Sequence, residues 1–226
     1  MKLISNNIMI DFEPTPSPKR KLNVFYIIDT SRSMEGLKIE CVNKIMSDII
    51  ALFADINNSN QDNVEIVVSC LSFNTKPEWM YDTPVSANNF KWLPLSTCGV
   101  TNLGQACKTL EKSLHNSTEN ECGIMNSLTG FKSPCIILLS DGEPTDDWEY
   151  EFQKLKQNPW FKAASKIAIA IGDDADLNTL SEFVGNSELV LGAKEIDHLK
   201  EMVSFASRSA IARSSALSDW DLEIWK

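Results

Sequence analysis

Residues 26–34 read YIIDTSRSM, and the interpretation of this stretch decides the fold. It closes LNVFYII (Leu22–Ile28), a nearly continuous apolar run rich in strand formers. Such a run marks a strand covered on both faces, as in a parallel sheet. The strand stops at Asp29, and Ser31 and Ser33 follow at alternate positions. Turns and helix caps use these residue types, because their oxygens accept backbone N–H bonds. A metal ion uses them too. The nonapeptide alone leaves both readings open.

Outward from this stretch, strand and helix patterns alternate. Val42, Ile45, Met46, Ile49, Ile50, Phe53 and Ile56 recur at three- and four-residue steps, so Leu37–Asn57 is expected to be an amphipathic helix. VEIVVSCLSF (Val64–Phe73), PCIILLS (Pro134–Ser140), KIAIAIG (Lys166–Gly172) and SELVLG (Ser187–Gly192) read as further strands. A short edge strand is expected between Asn74 and Leu95. Helices are expected to begin near Thr101 or Asn102, to cover Asp147–Gln157 and Leu177–Val184, and to lie near Ile196–Ala212. This alternation predicts an α/β fold: a doubly wound, mainly parallel central sheet with one antiparallel edge strand and helices on both faces. One domain, residues 21–212, is expected. An extended leader, residues 1–20 with Pro14, Pro16 and Pro18, precedes it. In the tail, residues 213–226, Trp220, Leu222, Ile224 and Trp225 alternate with acids, and the tail is expected to dock on the domain or on a partner.

Composition excludes several function classes. A chain of 226 residues with 43% hydrophobic content can bury a full core. Its net charge of −10 argues against nucleic acid, whose phosphates demand clustered Lys and Arg. No apolar run approaches the length of a membrane span. The opening MKLISNNIMIDF lacks the pattern of a signal peptide, so a cytoplasmic location is expected. The six cysteines form no CxxC pair and no Cys/His zinc spacing, and are expected to be reduced and structural.

In open α/β sheets, ligands bind beyond the carboxyl ends of the strands. Asp29, Ser31 and Ser33 follow the first strand, and Asp141, in SDGEPTDD, ends the strand Pro134–Ser140. Between them CGVTNLGQA places Thr101 at a helix start. If the two strands are neighbours, all three loops open onto one edge. Asp29, Ser31, Ser33, Thr101 and Asp141 then offer two carboxylates and three hydroxyls, with no thiolate or imidazole. Such a hard-oxygen set suits Mg²⁺, Mn²⁺ or Ca²⁺ rather than zinc.

This pattern, D-x-S-x-S with a later Thr and a later Asp, resembles the metal-ion-dependent adhesion site of von Willebrand factor A domains. The resemblance covers about residues 20 to 212. It implies that the two serine hydroxyls touch the metal, that the aspartates act largely through water, and that a partner's carboxylate takes the open position. DTSRSM, GVTNLGQA and SDGEPTDDW are also similar to the bacterial cytosolic, tellurium-resistance-associated TerY type. That similarity implies a kinase or phosphatase partner in a stress-response system. Arg32 stands where the family commonly has Gly, which would add positive charge at the rim or simply point to solvent.

Other residues have plainer readings. Asp146 or Thr145 is expected to cap the helix that follows, and GDDAD (Gly172–Asp176) to cap the next. Trp148 and Trp160 are expected in the core, and His115 and His198 at the surface. The expected function is a metal-dependent protein-binding module, not an enzyme. One alternative is a Mg²⁺-dependent phosphohydrolase with Asp29 as nucleophile. Such enzymes need a second Asp two residues on, where this chain has Ser31. The other alternative is a scaffold with a vestigial site.

Overall fold

The computed structural model describes residues 19–59, 64–115, 124–125 and 130–193, with 201, 205, 208–209 and 212. Its elements run β1 (Arg20–Asp29), α1 (Leu37–Ser59), β2 (Val64–Phe73), β3 (Pro77–Trp79), β4 (Val85–Ser86), α2 (Leu103–Ser113), β5 (Cys135–Ser140), α3 (Trp148–Gln157), α4 (Pro159–Ala163), β6 (Ser165–Ile171), α5 (Leu177–Val184) and β7 (Val190–Ala193). The sheet order is β3-β2-β1-β5-β6-β7, and β4 also pairs with β2. β1, β2, β5, β6 and β7 are parallel, while β3 and β4 run antiparallel to β2.

The continuous apolar run of β1 follows from its place between β2 and β5. Leu22, Val24, Tyr26 and Ile28 face α1, and Phe25 and Ile27 face α2, α3, α4 and α5. Every residue from Leu22 to Asp29 is therefore buried. Full burial of each of its aliphatic and Phe side chains contributes about 1.5–3 kcal/mol. On the second face Phe152 stacks on Phe183 with centroids 5.5 Å apart and meets Phe161 edge-on at 6.0 Å. Trp148 and Trp160 are buried in the same layer, as expected.

The structure corrects the expected boundaries in places. The edge strand is two short pieces, because the chain leaves β2 after Trp79 and returns only at Val85. The strand expected from Ser187 begins instead as a 3₁₀ turn over Ser187–Leu189, where the Asn186 side chain accepts the Glu188 N–H. Extended pairing starts only at Val190. The short α4 was not foreseen. Asn158 caps it and Pro159 opens it, a standard helix start that its five-residue length hides from periodicity. The helix expected near residues 196–212 lies largely outside the described residues; residues 201, 205, 208, 209 and 212 are helical. Almost all of the leader, the whole tail and His198 also lie outside them.

The strand order reverses at β1. The chain moves from β1 to β2 on one side, then crosses to β5 on the other. The carboxyl ends of β1 and β5 thus flank the switch-point crevice of a doubly wound sheet.

Candidate metal site

Asp29 ends β1 in this crevice with its side chain wholly buried. One carboxylate oxygen accepts the Ser31 N–H at 2.8 Å, and the other accepts the Ser140 hydroxyl at 2.7 Å. Ser31 and Ser33 hydroxyls lie 2.9 Å apart, and Ser33 donates to Asp141 Oδ1 at 2.7 Å. A methyl group at Gly142 would stand 3.6 Å from Ser33 Oγ and 3.8 Å from Thr101 Oγ1, so both hydroxyls face one small space. All five residues singled out from the sequence therefore meet at this edge. Ser31, Thr101 and Asp141 are buried, whereas Ser33 is exposed and opens the cluster to solvent.

Three loops are bonded together to hold these residues. The Thr30 N–H and hydroxyl both donate to Phe73 O, fixing the first loop to the end of β2. Cys98 N–H donates to Thr30 O at 2.9 Å and Arg32 N–H to Gly99 O at 3.3 Å, joining the second loop to the first. Gly99 adopts φ +70°, and a side chain there would strike Thr75 Oγ1. Thr145 N–H donates to Thr101 O at 2.8 Å, joining the third loop to the second. The Arg32 side chain is exposed.

Asp146 departs from its expected role. It does not cap α3, where Asp147 holds the cap position without a side-chain bond. Its carboxylate instead accepts the N–H groups of Gly104 and Gln105, at 3.0 and 3.1 Å, in the first turn of α2. Asp176, in contrast, caps α5 as GDDAD suggested, accepting the Asn178 N–H at 3.0 Å.

Two further side chains complete the site. Ser140 holds Asp29, and its place at the end of a buried apolar strand is a signal the sequence did carry. Lys38, in the first turn of α1, pairs with Asp141 Oδ2 and lies 3.6 Å from Asp174 Oδ1. Nothing in the local sequence marks Lys38, because both partners are more than a hundred residues away.

Electrostatics at the site are uneven. Burial pushes the Asp29 carboxyl above its ordinary range; hydrogen bonds from Ser140 and Ser31 partly offset this, and the Asp141 charge reinforces it. Burial alone would lower the Lys38 ammonium, but its contacts with Asp141 and Asp174 leave it raised. A cation between the carboxylates would relieve the cost at Asp29. Among the described residues no group of three or more His, Cys, Asp or Glu side chains is placed to hold a metal, so hydroxyls must supply much of any donor set here. The hard-oxygen donors and the space beside Gly142 fit a small divalent cation.

The family model for the von Willebrand factor type A domain matches residues 23–205. The chain belongs to this family. VWA domains commonly bind protein partners through a divalent metal at the metal-ion-dependent adhesion site, or MIDAS. Proximal thread matrix protein 1 from the mussel byssus, in a structure with a zinc-occupied MIDAS motif, is 16% identical with a TM-score of 0.59, over 83% of this chain and 47% of that one. The ArnB paralog VWA2 from Sulfolobus acidocaldarius is 22% identical with a TM-score of 0.56, over 82% of this chain and 44% of that one. The pilus adhesin SpaC from Lactobacillus rhamnosus GG, in its open conformation, is 13% identical with a TM-score of 0.65, over 86% of this chain and 30% of that one. At these identities the likeness is one of fold, and this chain spans less than half the length of each. No curated protein matches the chain.

Proposed function

We propose that this VWA domain holds Mg²⁺, or Mn²⁺ or Ca²⁺, on Asp29, Ser31, Ser33, Thr101 and Asp141, and binds an Asp or Glu of a protein partner through it. The observation that carries this reading is the bonded series Asp29–Ser31–Ser33–Asp141 converging with Thr101 beside Gly142. With hydroxyls on the metal and the two aspartates acting largely through water, as the family resemblance implies, a bound divalent ion would stay electron-poor and open to a partner's acid. Next to the site in sequence, Val100 is 47% exposed and Leu37 is 70% exposed.

The function is binding without catalysis. The phosphohydrolase alternative needs a second Asp two residues after Asp29 as general acid, and that position is Ser31, whose hydroxyl lies beside Ser33. The resemblance to TerY-type proteins supports a cytoplasmic, stress-response setting with a kinase or phosphatase as partner. Among the described residues no helix is long and apolar enough to cross a membrane.

Thermal unfolding with Mg²⁺, Mn²⁺, Ca²⁺ or EDTA tests the metal. A ligand that binds only the folded state stabilises it by about 2.7 kcal/mol at a hundredfold excess over Kd. For a chain of this size that corresponds to about 5–11 °C. The shift should appear in wild type and vanish in Asp29→Ala. Equal shifts in the two, or none in wild type, would refute the metal-bridging mechanism.

A further inference from the structure

Of the two side chains that complete the site, Ser140 holds Asp29, while Lys38 has no part in the metal-binding reading. It lies in the first turn of α1, where a helix dipole disfavours a cation. Two carboxylates compensate: Asp141, whose side chain is fully buried, and Asp174, whose side chain is 76% exposed. The backbone makes room for this crossing. Gly172 has φ +93°, and a Cβ there would lie 3.3 Å from both Lys38 Cε and Nζ. Asp141 is thereby divided, with Oδ1 accepting from Ser33 and Oδ2 from the ammonium.

We propose that Lys38 is a tethered counter-ion that holds the Asp141 carboxylate when no metal is bound and competes with the divalent cation for it. The proposal rests on the metal-binding reading above. An ammonium and a divalent ion at one carboxylate repel each other, so metal entry drives Nζ toward Asp174, which is already within ion-pair distance. The lysine lowers metal affinity and keeps Asp141 compensated in the metal-free protein. Metal binding then turns a buried-side ion pair into a cation at the rim, where an acidic partner docks.

Calorimetric titration of the full chain with Mn²⁺ alone tests this in wild type, Lys38→Met, Lys38→Arg and Asp29→Ala. Lys38→Met, which removes the cation competing for Asp141 Oδ2, should bind Mn²⁺ about tenfold more tightly, a change of about 1.4 kcal/mol. Lys38→Arg should stay near wild type, and Asp29→Ala should not bind. In EDTA, Lys38→Met should melt below wild type, and saturating Mn²⁺ should remove or reverse the difference. Lys38→Gln, which keeps a donor for Asp141, carries the same expectation if Lys38→Met is too unstable to titrate. Equal or weaker Mn²⁺ binding in the neutral variants, with wild type binding normally, overturns this proposal alone: Lys38 would then hold Asp141 in position for the metal. No binding in wild type or variants overturns both the metal reading and the proposal.

Discussion

Asp146→Ala should destabilise the domain through a helix that Asp146 does not belong to. Asn102 holds the N-cap position of α2 but provides no cap bond; its side chain donates to Thr75 O and accepts from the Thr145 hydroxyl. The capping is supplied by Asp146, whose two oxygens take the Gly104 and Gln105 N–H groups. Gly104 permits this approach, since a Cβ there would stand 2.8 Å from Asp146 Oδ2 and 2.9 Å from Trp148 Cα. Loss of a side-chain cap costs about 0.5–2 kcal/mol. Loss of a negative charge at a helix N-terminus adds about 0.3–1 kcal/mol. Together these give about 1–3 kcal/mol, or about 2–12 °C for a chain of this size. Urea unfolding in EDTA measures the first quantity without interference from metal. Asp146→Asn, which keeps an acceptor but loses the charge, should fall between wild type and Asp146→Ala. A loss in Asp146→Ala below about 0.5 kcal/mol, the range of ordinary surface substitutions, would refute the reasoning and make Asp146 a solvated acid.

Two other expectations separate site from fold. Gly142→Ala introduces a methyl at ordinary contact distance from Ser33 and Thr101, so urea stability should stay within about 0.5 kcal/mol of wild type while Mn²⁺ affinity falls about tenfold or more by calorimetry. Lys166 donates to Phe161 O at 2.8 Å and Ala164 O at 3.2 Å, and burial lowers its ammonium below the ordinary lysine range. The unfolded chain therefore binds more protons between the folded value and the ordinary value of about 10.4, and stability contributed by this group rises with pH across that window. Urea midpoints measured upward from neutral pH should show the rise in wild type and a flatter profile in Lys166→Met; parallel profiles would refute it.

The parts of the fold that rest on local pattern could be read directly. β1 declared itself because burial on both faces leaves no polar position between Val24 and Ile28. Helix α5 was readable from Leu177, Leu180, Phe183 and Val184. The candidate site was readable because Asp29 and Asp141 end or follow strands whose type was clear and Thr101 stands just before a readable helix. What was hidden depends on pairs distant in sequence. Asp146 lies two residues before α3 and has the residue type of a cap, so proximity suggested α3, whereas folding brings the start of α2 within hydrogen-bond reach. Lys38 looks like any solvated helix lysine until β5 and the loop after β6 place Asp141 and Asp174 beside it.

The same long-range bonds explain how two carboxylates are held side by side at this edge. Asp29 and Asp141 approach one another at the switch point, and two adjacent buried carboxylates repel. The protein treats them differently. Asp141 takes a cation from α1, while Asp29 is held by the Ser140 hydroxyl and the Ser31 N–H, and it stays raised. That residual cost is a small store of free energy that any cation entering the site would release. The loops cannot relax to avoid it, because Thr30, Cys98, Gly99, Thr101 and Thr145 tie them to each other through backbone bonds. Binding energy from the metal then goes into charge neutralisation rather than into ordering loops, which is the advantage of a preorganised site.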